Sequence, residues 1–339
     1  MARSKRILVT NRAGIGDVIL STSVLRGLKE KFPDSHLALL VGTNVFDLMV
    51  GLPFIDEVIT YERDQDSLFR IVKQVWRYDV AICLDFTYRS ALLAFLAAIP
   101  VRAGLRHKRG IFLTHATERD PKQEEIYEPY NFANIIKRTT GIELTGDLTK
   151  LEVGAATVQD RQKVDTLFTQ AGIKEKMPVI AIVPFSSANA KNWPLEAIQQ
   201  LIVQLKAEHD YTVVLLGAHN ERDQAAVLQG AENWLGLTTL TEMAEILRRC
   251  QLFIGHCSGP IHLAAAVGVP IVALYGATSS LHWAPKNHTA VVEHPMSCTP
   301  CDATGFQCSH KQCMKSITVE EVLKACEKFG VLHEVQGGI

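Results

Sequence analysis

The stretch from Leu252 to Tyr275 constrains the fold of this chain more than any other. It opens on apolar Leu252 to Ile254, a run suited to a strand buried on both faces. Gly255 permits a tight turn. Ser258, Gly259 and Pro260 carry the start signals of a helix whose small apolar face runs from Leu263 to Val267. Gly268 stops that helix, and Pro270 leads into a second strand, Ile271 to Tyr275. Strand, helix and strand at this spacing make a βαβ unit, which requires a parallel sheet. The turn sets backbone N–H groups and the positive end of a helix dipole at the carboxyl edge of that sheet. A phosphate is well held in such a place. A capped, well-packed helix with no ligand would use the same residues, so this stretch dictates topology before it dictates function.

The remainder of the chain repeats the alternation. In the first half, strands are expected at Arg6 to Asn11, His36 to Val41, Val58 to Tyr61 and Val80 to Leu84. Helices are expected at Val18 to Lys31, Ser67 to Tyr78, Ala91 to Ala98 and Asn131 to Thr140. In the second half, strands at Val179 to Val183 and Thr212 to Leu216 alternate with helices from Pro194, Glu221 and Thr241. A final helix begins at Thr318, with Glu321 three residues on as a capping box. At 339 residues and 47% hydrophobic content, each half can bury its own core. The expected architecture is therefore α/β, with two Rossmann-like doubly wound parallel-sheet domains facing across a cleft. The division is expected between Gly146 and Met177 and is taken as 1–160 and 161–339.

Charge and cysteine usage narrow the class. The formal net charge of -1 argues against nucleic acid as the main partner. The apolar segment Ile7 to Val9 is too short for a secretory signal, and the run from Ala91 to Val101 contains Pro100 and cannot span a bilayer. The expectation is a cytoplasmic protein, with room for peripheral contact with a membrane face. Cys83, Cys250, Cys257 and Cys326 are scattered, as small packed apolar residues would be. Cys298, Cys301, Cys308 and Cys313, in the loop 297–314, are spaced C-x2-C-x6-C-x4-C. Four thiolates so close suggest structural zinc, although the second pair is not a CxxC. Paired disulfides or plain loop cysteines are the other readings.

The chemistry-bearing loops follow strands. Gly14-Ile-Gly16-Asp17 follows the first strand, and its two glycines allow a ligand close to the backbone. Ile19 stands where a dinucleotide fingerprint needs its third glycine, which weakens an NAD reading. Asp17 suits a helix cap and suits a general base. Ser186, Ser187 and Lys191 supply hydroxyls and an ammonium for a diphosphate, or simply a solvated loop. Glu221 could accept from ribose hydroxyls or stabilise the start of its own helix. With Ser258, Gly259 and His262, three loops converge on one sheet edge, and together they point to a nucleotide diphosphate in the second domain. HExxH, GxxxxGK[ST] and GxSxG do not occur, so helix-borne metal pairs, P-loops and nucleophile elbows are not supported.

Read together, Gly16-Asp-Val-Ile-Leu20, Leu84-Asp-Phe-Thr-Tyr-Arg-Ser90, Lys191-Asn-Trp-Pro194, Leu216-Gly-Ala-His-Asn-Glu221 and Ser258-Gly-Pro-Ile-His-Leu-Ala-Ala265 resemble glycosyltransferase family 9, the lipopolysaccharide heptosyltransferases. The Cys298-Thr-Pro-Cys301 pair with Cys308 and Cys313 is similar to many members. The resemblance implies the GT-B fold and an inverting, metal-independent transfer of heptose from ADP-L-glycero-D-manno-heptose to an inner-core sugar on lipid A or Kdo. It assigns Asp17 as general base. Gly14, Gly16, Asp85 and Arg89 fall on the acceptor side. Ser186, Ser187, Lys191, Ser258, Gly259 and His262 fall on the phosphate side, and Glu221 at the nucleoside. One departure stands out: the family commonly has Asp before the Ser/Thr-Gly pair, and here that place is taken by Cys257. A relative that transfers a different nucleotide-activated sugar, or a non-catalytic sugar-nucleotide binder, therefore remains an alternative.

Overall fold

The computed structural model describes residues 4–331 except 63, 208–210, 302–307 and 309. The chain divides between Ala155 and Ala156 into two compact units, each built on one six-stranded parallel sheet.

The first unit contains β1 (Arg6–Thr10), β2 (His36–Val41), β3 (Glu57–Thr60), β4 (Val80–Cys83), β5 (Val101–Leu105) and β6 (His115–Thr117). Its helices are α1 (Ile15–Lys31), α2 (Phe46–Met49), α3 (Leu68–Val75), α4 (Tyr88–Leu96) and α5 (Glu128–Thr140). The strand order is β3-β2-β1-β4-β5-β6. Leu8 of β1 pairs with Ala38 and Ala81 on its two neighbours, and all three are fully buried. Such continuous burial is what an apolar, non-alternating strand sequence demands. α1 packs on α5, and α3 packs on α4. Right-handed crossovers put α1, which leads away from β1 on one side, and α3, which leads back, on opposite faces of the sheet.

The second unit contains β7 (Val179–Val183), β8 (Thr212–Leu215), β9 (Glu232–Asn233), β10 (Leu252–His256), β11 (Ile271–Tyr275) and β12 (Thr289–Glu293). Its helices are α6 (Val158–Gln170), α7 (Leu195–Ala207), α8 (Arg222–Ala225), α9 (Leu240–Arg249), α10 (Gly259–Val267), α11 (Ser280–Trp283), α12 (Gln312–Lys315) and α13 (Val319–Glu327). The strand order is β12-β11-β10-β7-β8-β9, the same pattern as in the first unit. Its core joins Ile180, Ile202, Leu215, Ile254, Val272 and Val322, among others.

The α/β doubly wound expectation therefore holds in both units, and the βαβ stretch forms β10, α10 and β11. Four strands carried no strong sequence signal. β5 reads Val-Arg-Ala-Gly-Leu, with a charge and a glycine inside it. β6 and β9 have three and two residues. β12 alternates buried and exposed positions at a sheet edge. α1 starts three residues before the expected Val18, where the Asp17 carboxylate accepts from the Gly14 N–H and caps the first turn. The division at residue 160 would cut α6. The Thr157 side chain accepts from the Asp160 N–H, and the Asp160 carboxylate accepts from the Thr157 N–H, which makes α6 one unit from its first turn.

Just ahead of the division, Gly154 N–H donates to Leu48 O at 2.7 Å, and a Cβ on Gly154 would come within 2.3 Å of Val50 O. A backbone oxygen cannot swing aside as a side chain can. Gly154→Ala is expected to destabilise the first unit by about 1–3 kcal/mol. A lower urea midpoint at unchanged slope is the measurement that checks it.

Candidate functional site

In a doubly wound sheet, ligands bind beyond the carboxyl ends of the strands, where the strand order reverses. In the first unit that point lies between β1 and β4, and in the second between β7 and β10. The expected residues fall on the loops that leave these strands. Gly14, Gly16 and Asp17 follow β1, and Asp85 and Arg89 follow β4. Ser186, Ser187 and Lys191 follow β7, and Ser258, Gly259 and His262 follow β10. Glu221 lies after β8, one strand out.

At the first switch point, Asp17 is partly exposed in the first turn of α1. Its Oδ2 accepts from the Gly14 N–H at 3.1 Å, and its backbone carbonyl accepts from the Asn11 side chain at 2.9 Å. The capping role is thus real, and it holds the carboxylate at the loop surface rather than in the interior. Asp85 behaves differently. It is 1% exposed, and its carboxylate accepts from Thr10 Oγ1, the Arg12 N–H, the Thr87 N–H and hydroxyl, and Ser90 Oγ, at 2.7 to 3.2 Å. Arg109, fully buried, stands 3.7 Å from it. Arg109 also donates to the carbonyls of Cys83, Asp85, Thr87 and Leu105. The acceptor-contact role expected of Asp85 therefore gives way to an internal one. It is turned inward and ties the loops after β1 and β4 together. Buried charge is tolerated only when paired and hydrogen-bonded like this. Arg89 remains accessible on α4, with its guanidinium 5.8 Å from the Tyr88 ring.

At the second switch point, Ser258 has the backbone of an N-cap but makes no side-chain cap bond; its hydroxyl donates to the His256 carbonyl at 3.3 Å. Gly259 and Pro260 open α10, and His262 lies buried in its first turn. His256, the last residue of β10, accepts the Trp193 N–H on Nε2 at 2.8 Å. Nε2 is therefore the lone-pair nitrogen, and the proton sits on Nδ1. The Nδ1 atoms of His256 and His262 are both buried and have no hydrogen-bond partner among the described residues. Burial, and then the nearby Lys191 charge, push both imidazoles down to a pKa of about 3. Both are neutral near pH 7, so Lys191 has no second positive charge from them beside it.

The β7 loop is organised by Asn192, a member of the Lys191–Pro194 motif to which the sequence assigns no role. Asn192 Oδ1 accepts from the Ser186 N–H and the Ser186 hydroxyl, both at 2.8 Å, and the same hydroxyl reaches Ala188 O at 2.9 Å. Ser186 thus shapes the loop, whereas Ser187 is exposed. Trp193 anchors the far end: its indole N–H donates to Ile317 O at 3.0 Å, and its backbone N–H is the one held by His256. Glu221 accepts from the Ala218 N–H at 2.8 Å through one oxygen, as a cap.

The loop that carries the cysteine cluster expected to hold zinc falls only partly within the described residues. Among the described residues, Cys298, Cys301, Cys308 and Cys313 form no disulfide, and no group of three His, Cys, Asp or Glu is placed to hold a metal ion. Much of the loop 297–314, residues 302–307 and 309, lies outside the described residues. Burial and then the neighbouring Cys298 and Cys308 raise the Cys313 pKa. The scattered Cys83, Cys250 and Cys326 are buried thiols, pushed up to about 12 by desolvation, in keeping with small apolar packing.

Three residues central to these sites were missed. Arg109 and Asn192 sit in irregular segments, where no periodicity marks a partner. His256 stands where β10 gives way to its loop, and the sequence assigns it no role of its own. A buried polar type at the carboxyl end of an apolar strand was the one signal available.

Comparison with known proteins adds the following. The sequence model of the family described as Glycosyltransferase family 9 (heptosyltransferase) matches residues 67–312. Lipopolysaccharide heptosyltransferase 2 of Escherichia coli (strain K12) is 26% identical over 310 residues, covering 85% of this chain and 87% of that protein. The crystal structure of the glycosyl transferase family 9 protein from Veillonella parvula DSM 2008 superposes with a TM-score of 0.80 at 24% identity, covering 96% of this chain and 97% of that one. The structure of E. coli ADP-heptose lps heptosyltransferase II gives a TM-score of 0.79 at 22% identity, covering 96% and 98%.

The two buried imidazoles generate a pH prediction. The unfolded chain protonates each near its ordinary value of 6.5, whereas the folded unit holds it neutral down to about 3. The stabilisation they reflect is present above pH 6.5 and is lost as pH falls through that window. Between about pH 7.5 and pH 4.5, the second unit is expected to lose roughly 2 kcal/mol per histidine. Urea unfolding across that range checks it. His256→Gln and His262→Gln should each flatten the acid limb, and an unchanged limb in both would show that other groups set it.

Proposed function

The chain belongs to glycosyltransferase family 9, the heptosyltransferases, and from that premise we propose that it moves a heptose from ADP-L-glycero-D-manno-heptose to an inner-core sugar of lipopolysaccharide. What supports this reading is the chemistry of each unit's switch point taken by itself. One presents a surface carboxylate, Asp17, and the other a lysine beside a helix start, Lys191 with Ser258 and Gly259.

Inversion needs a hydroxyl oxygen to attack the anomeric carbon from the side opposite the leaving group. In this reading Asp17 removes the acceptor proton as the new C–O bond forms. The bond to the diphosphate breaks, and ADP leaves with the electron pair. The charge that develops on the diphosphate is met by Lys191 and by the N-terminal end of α10. The side-chain cap that Ser258 does not supply leaves that turn suited to an anion. His262, neutral in the first turn, would donate from its unpartnered Nδ1 or present Nε2, and Ser187 would add a hydroxyl. Glu221 keeps one oxygen for the nucleoside. Asp85 and Arg109 act at one remove by holding the Asp17 loop to the end of β4.

The alternative sugar rests on Cys257, buried in the turn after β10 where relatives commonly place an aspartate. A thiol cannot accept hydrogen bonds as a carboxylate does. Calorimetry with ADP-heptose, UDP- and GDP-sugars separates the donors.

Asp17→Asn retains an oxygen to cap α1 but removes the base, so it distinguishes the two roles of this side chain. It is expected to lower transfer from ADP-heptose to a heptose-free inner-core acceptor by about 10²–10⁴-fold, with ADP affinity unchanged. Lys191→Ala should instead weaken ADP binding. Turnover by Asp17→Asn at the wild-type rate would leave Asp17 with the cap alone.

A further inference from the structure

The second sheet presents its polar loops in a fixed order. From β8 through β7 and β10 to β11, the loops that leave the carboxyl edge carry Glu221, then Lys191, then Ser258 and His262, then Thr278 and Trp283. The strands are parallel, so all four loops leave the same edge. Neighbouring strands lie about 4.8 Å apart, and the row from the β8 loop to the β11 loop therefore spans roughly 14 Å. The transfer reading fills the first three places with nucleoside and diphosphate. It gives no role to the fourth, residues 276–283, which is the place a sugar on the far side of the diphosphate reaches.

That loop holds one large side chain in a fixed pose. The Ser279 side chain accepts the His282 N–H, the Trp283 N–H donates to Ser279 O at 3.1 Å, and Ala277 O accepts the Cys301 N–H at 2.8 Å. His282 is buried, and its ring meets the Trp283 indole edge-on with centroids 4.4 Å apart. The His262 ring, in the first turn of α10, stands 6.5 Å from the same indole. Trp283 is thus fixed by two imidazoles and is still partly exposed, beside the turn read as the diphosphate site. In the same loop Thr278 Oγ1 is buried and has no hydrogen-bond partner among the described residues. A hydroxyl left in that state marks a place where a ligand can supply the bond. From Leu252 to Pro285 the sequence has no Asp, Glu, Lys or Arg. This end of the row therefore offers hydroxyl, imidazole and indole, which suit a neutral polyol with an apolar C–H face. An adenine ring would stack on an indole as well, but Glu221, the acid suited to ribose hydroxyls, lies at the opposite end of the row.

We infer that residues 276–283 form the subsite for the donor's sugar, with the Trp283 indole as the flat surface on which the C–H face of a neutral sugar ring packs and the Thr278 hydroxyl as a partner for one of its hydroxyl groups. The inference rests on the transfer reading for where the diphosphate lies, and it adds the side chains that tell one sugar from another. Trp283 takes no part in making or breaking the glycosidic bond; it selects which sugar is presented.

The test is calorimetry of the full-length protein with ADP and with ADP-heptose, because the ratio of the two affinities isolates the sugar. Trp283→Leu keeps an apolar side chain for the imidazoles to pack on but has no flat face. It is expected to lower the ratio of ADP-heptose to ADP affinity by about three- to tenfold, with ADP affinity unchanged. Trp283→Phe should keep most of the ratio. Thr278→Val should lower the ratio by about fivefold and melt no earlier than the wild type, since the hydroxyl it removes bonds no described residue. An unchanged ratio in Trp283→Leu, in a protein that still transfers heptose, overturns the inference and leaves the transfer reading standing. An unchanged ratio in Thr278→Val strikes that hydroxyl from the subsite. Loss of ADP and ADP-heptose affinity together in Trp283→Leu also overturns the inference, because it puts the base or plain packing at Trp283. A wild type that binds ADP but rejects ADP-heptose overturns it too, since a neutral-polyol site admits heptose. A wild type that binds neither removes the transfer reading, and the sugar subsite falls with it.

Discussion

Every strand in both sheets is parallel, and the rest of the architecture depends on that constraint. A parallel strand must be followed by a crossover, and the crossover is right-handed. Because β1 and β7 lie in the middle of their sheets, the chain first winds to one side and then returns to wind to the other. The two loops that leave the central pair of strands therefore diverge over opposite faces. The gap between them is where polar side chains can gather at a sheet edge without being forced into the core. Asp17 and Arg89, and Lys191 and Ser258, occupy such gaps because of winding order, not because of local composition.

The two units secure that gap by different chemistry. In the first, a buried ion pair does so. Asp85 collects five hydrogen bonds and Arg109 four, so neither buried charge is left without partners. In the second, a neutral imidazole bridges β10 to the Trp193 backbone. The difference suits the chemistry next to each. A second cation in the His256 position would compete with Lys191 for the same anion and would repel it when none is bound. A charged pair beneath Asp17 is self-compensated and leaves the local field to the surface carboxylate.

The fold was legible in the sequence wherever apolar runs were continuous. β1, β2, β4, β7, β10 and β11 are buried along nearly their whole length, and their runs stood out for that reason. β5 and β12 did not, because one carries Arg102 and Gly104 and the other lies at an edge. The positions of the site loops were legible too, since glycines, prolines and hydroxyls after a strand are local signals. What each side chain does there was not. Asp85 and Asp17 look alike in sequence, each an acid just past a strand, yet one turns inward and one stays at the surface. The deciding residue for Asp85 is Arg109, twenty-four positions on, and no local pattern links the two.

A net charge near zero also hides how charge is arranged. Summed over the chain, 35 basic and 36 acidic side chains nearly cancel, and that sum speaks against a polyanion as the main partner. It says nothing about segregation. From Leu68 to Thr117 there are eight bases and two acids, but Arg109 is buried against Asp85, and Arg70 and Arg106 pair with Asp66 and Glu118 just outside the span. Local fields act within about a Debye length, roughly 8 Å at physiological salt, so a partner feels the layer it touches and not the total. The rings of Phe69, Trp76 and Phe95 are exposed within the same span. How charges pair and where rings are exposed are properties of the folded arrangement, and neither mean hydropathy nor net charge reveals them.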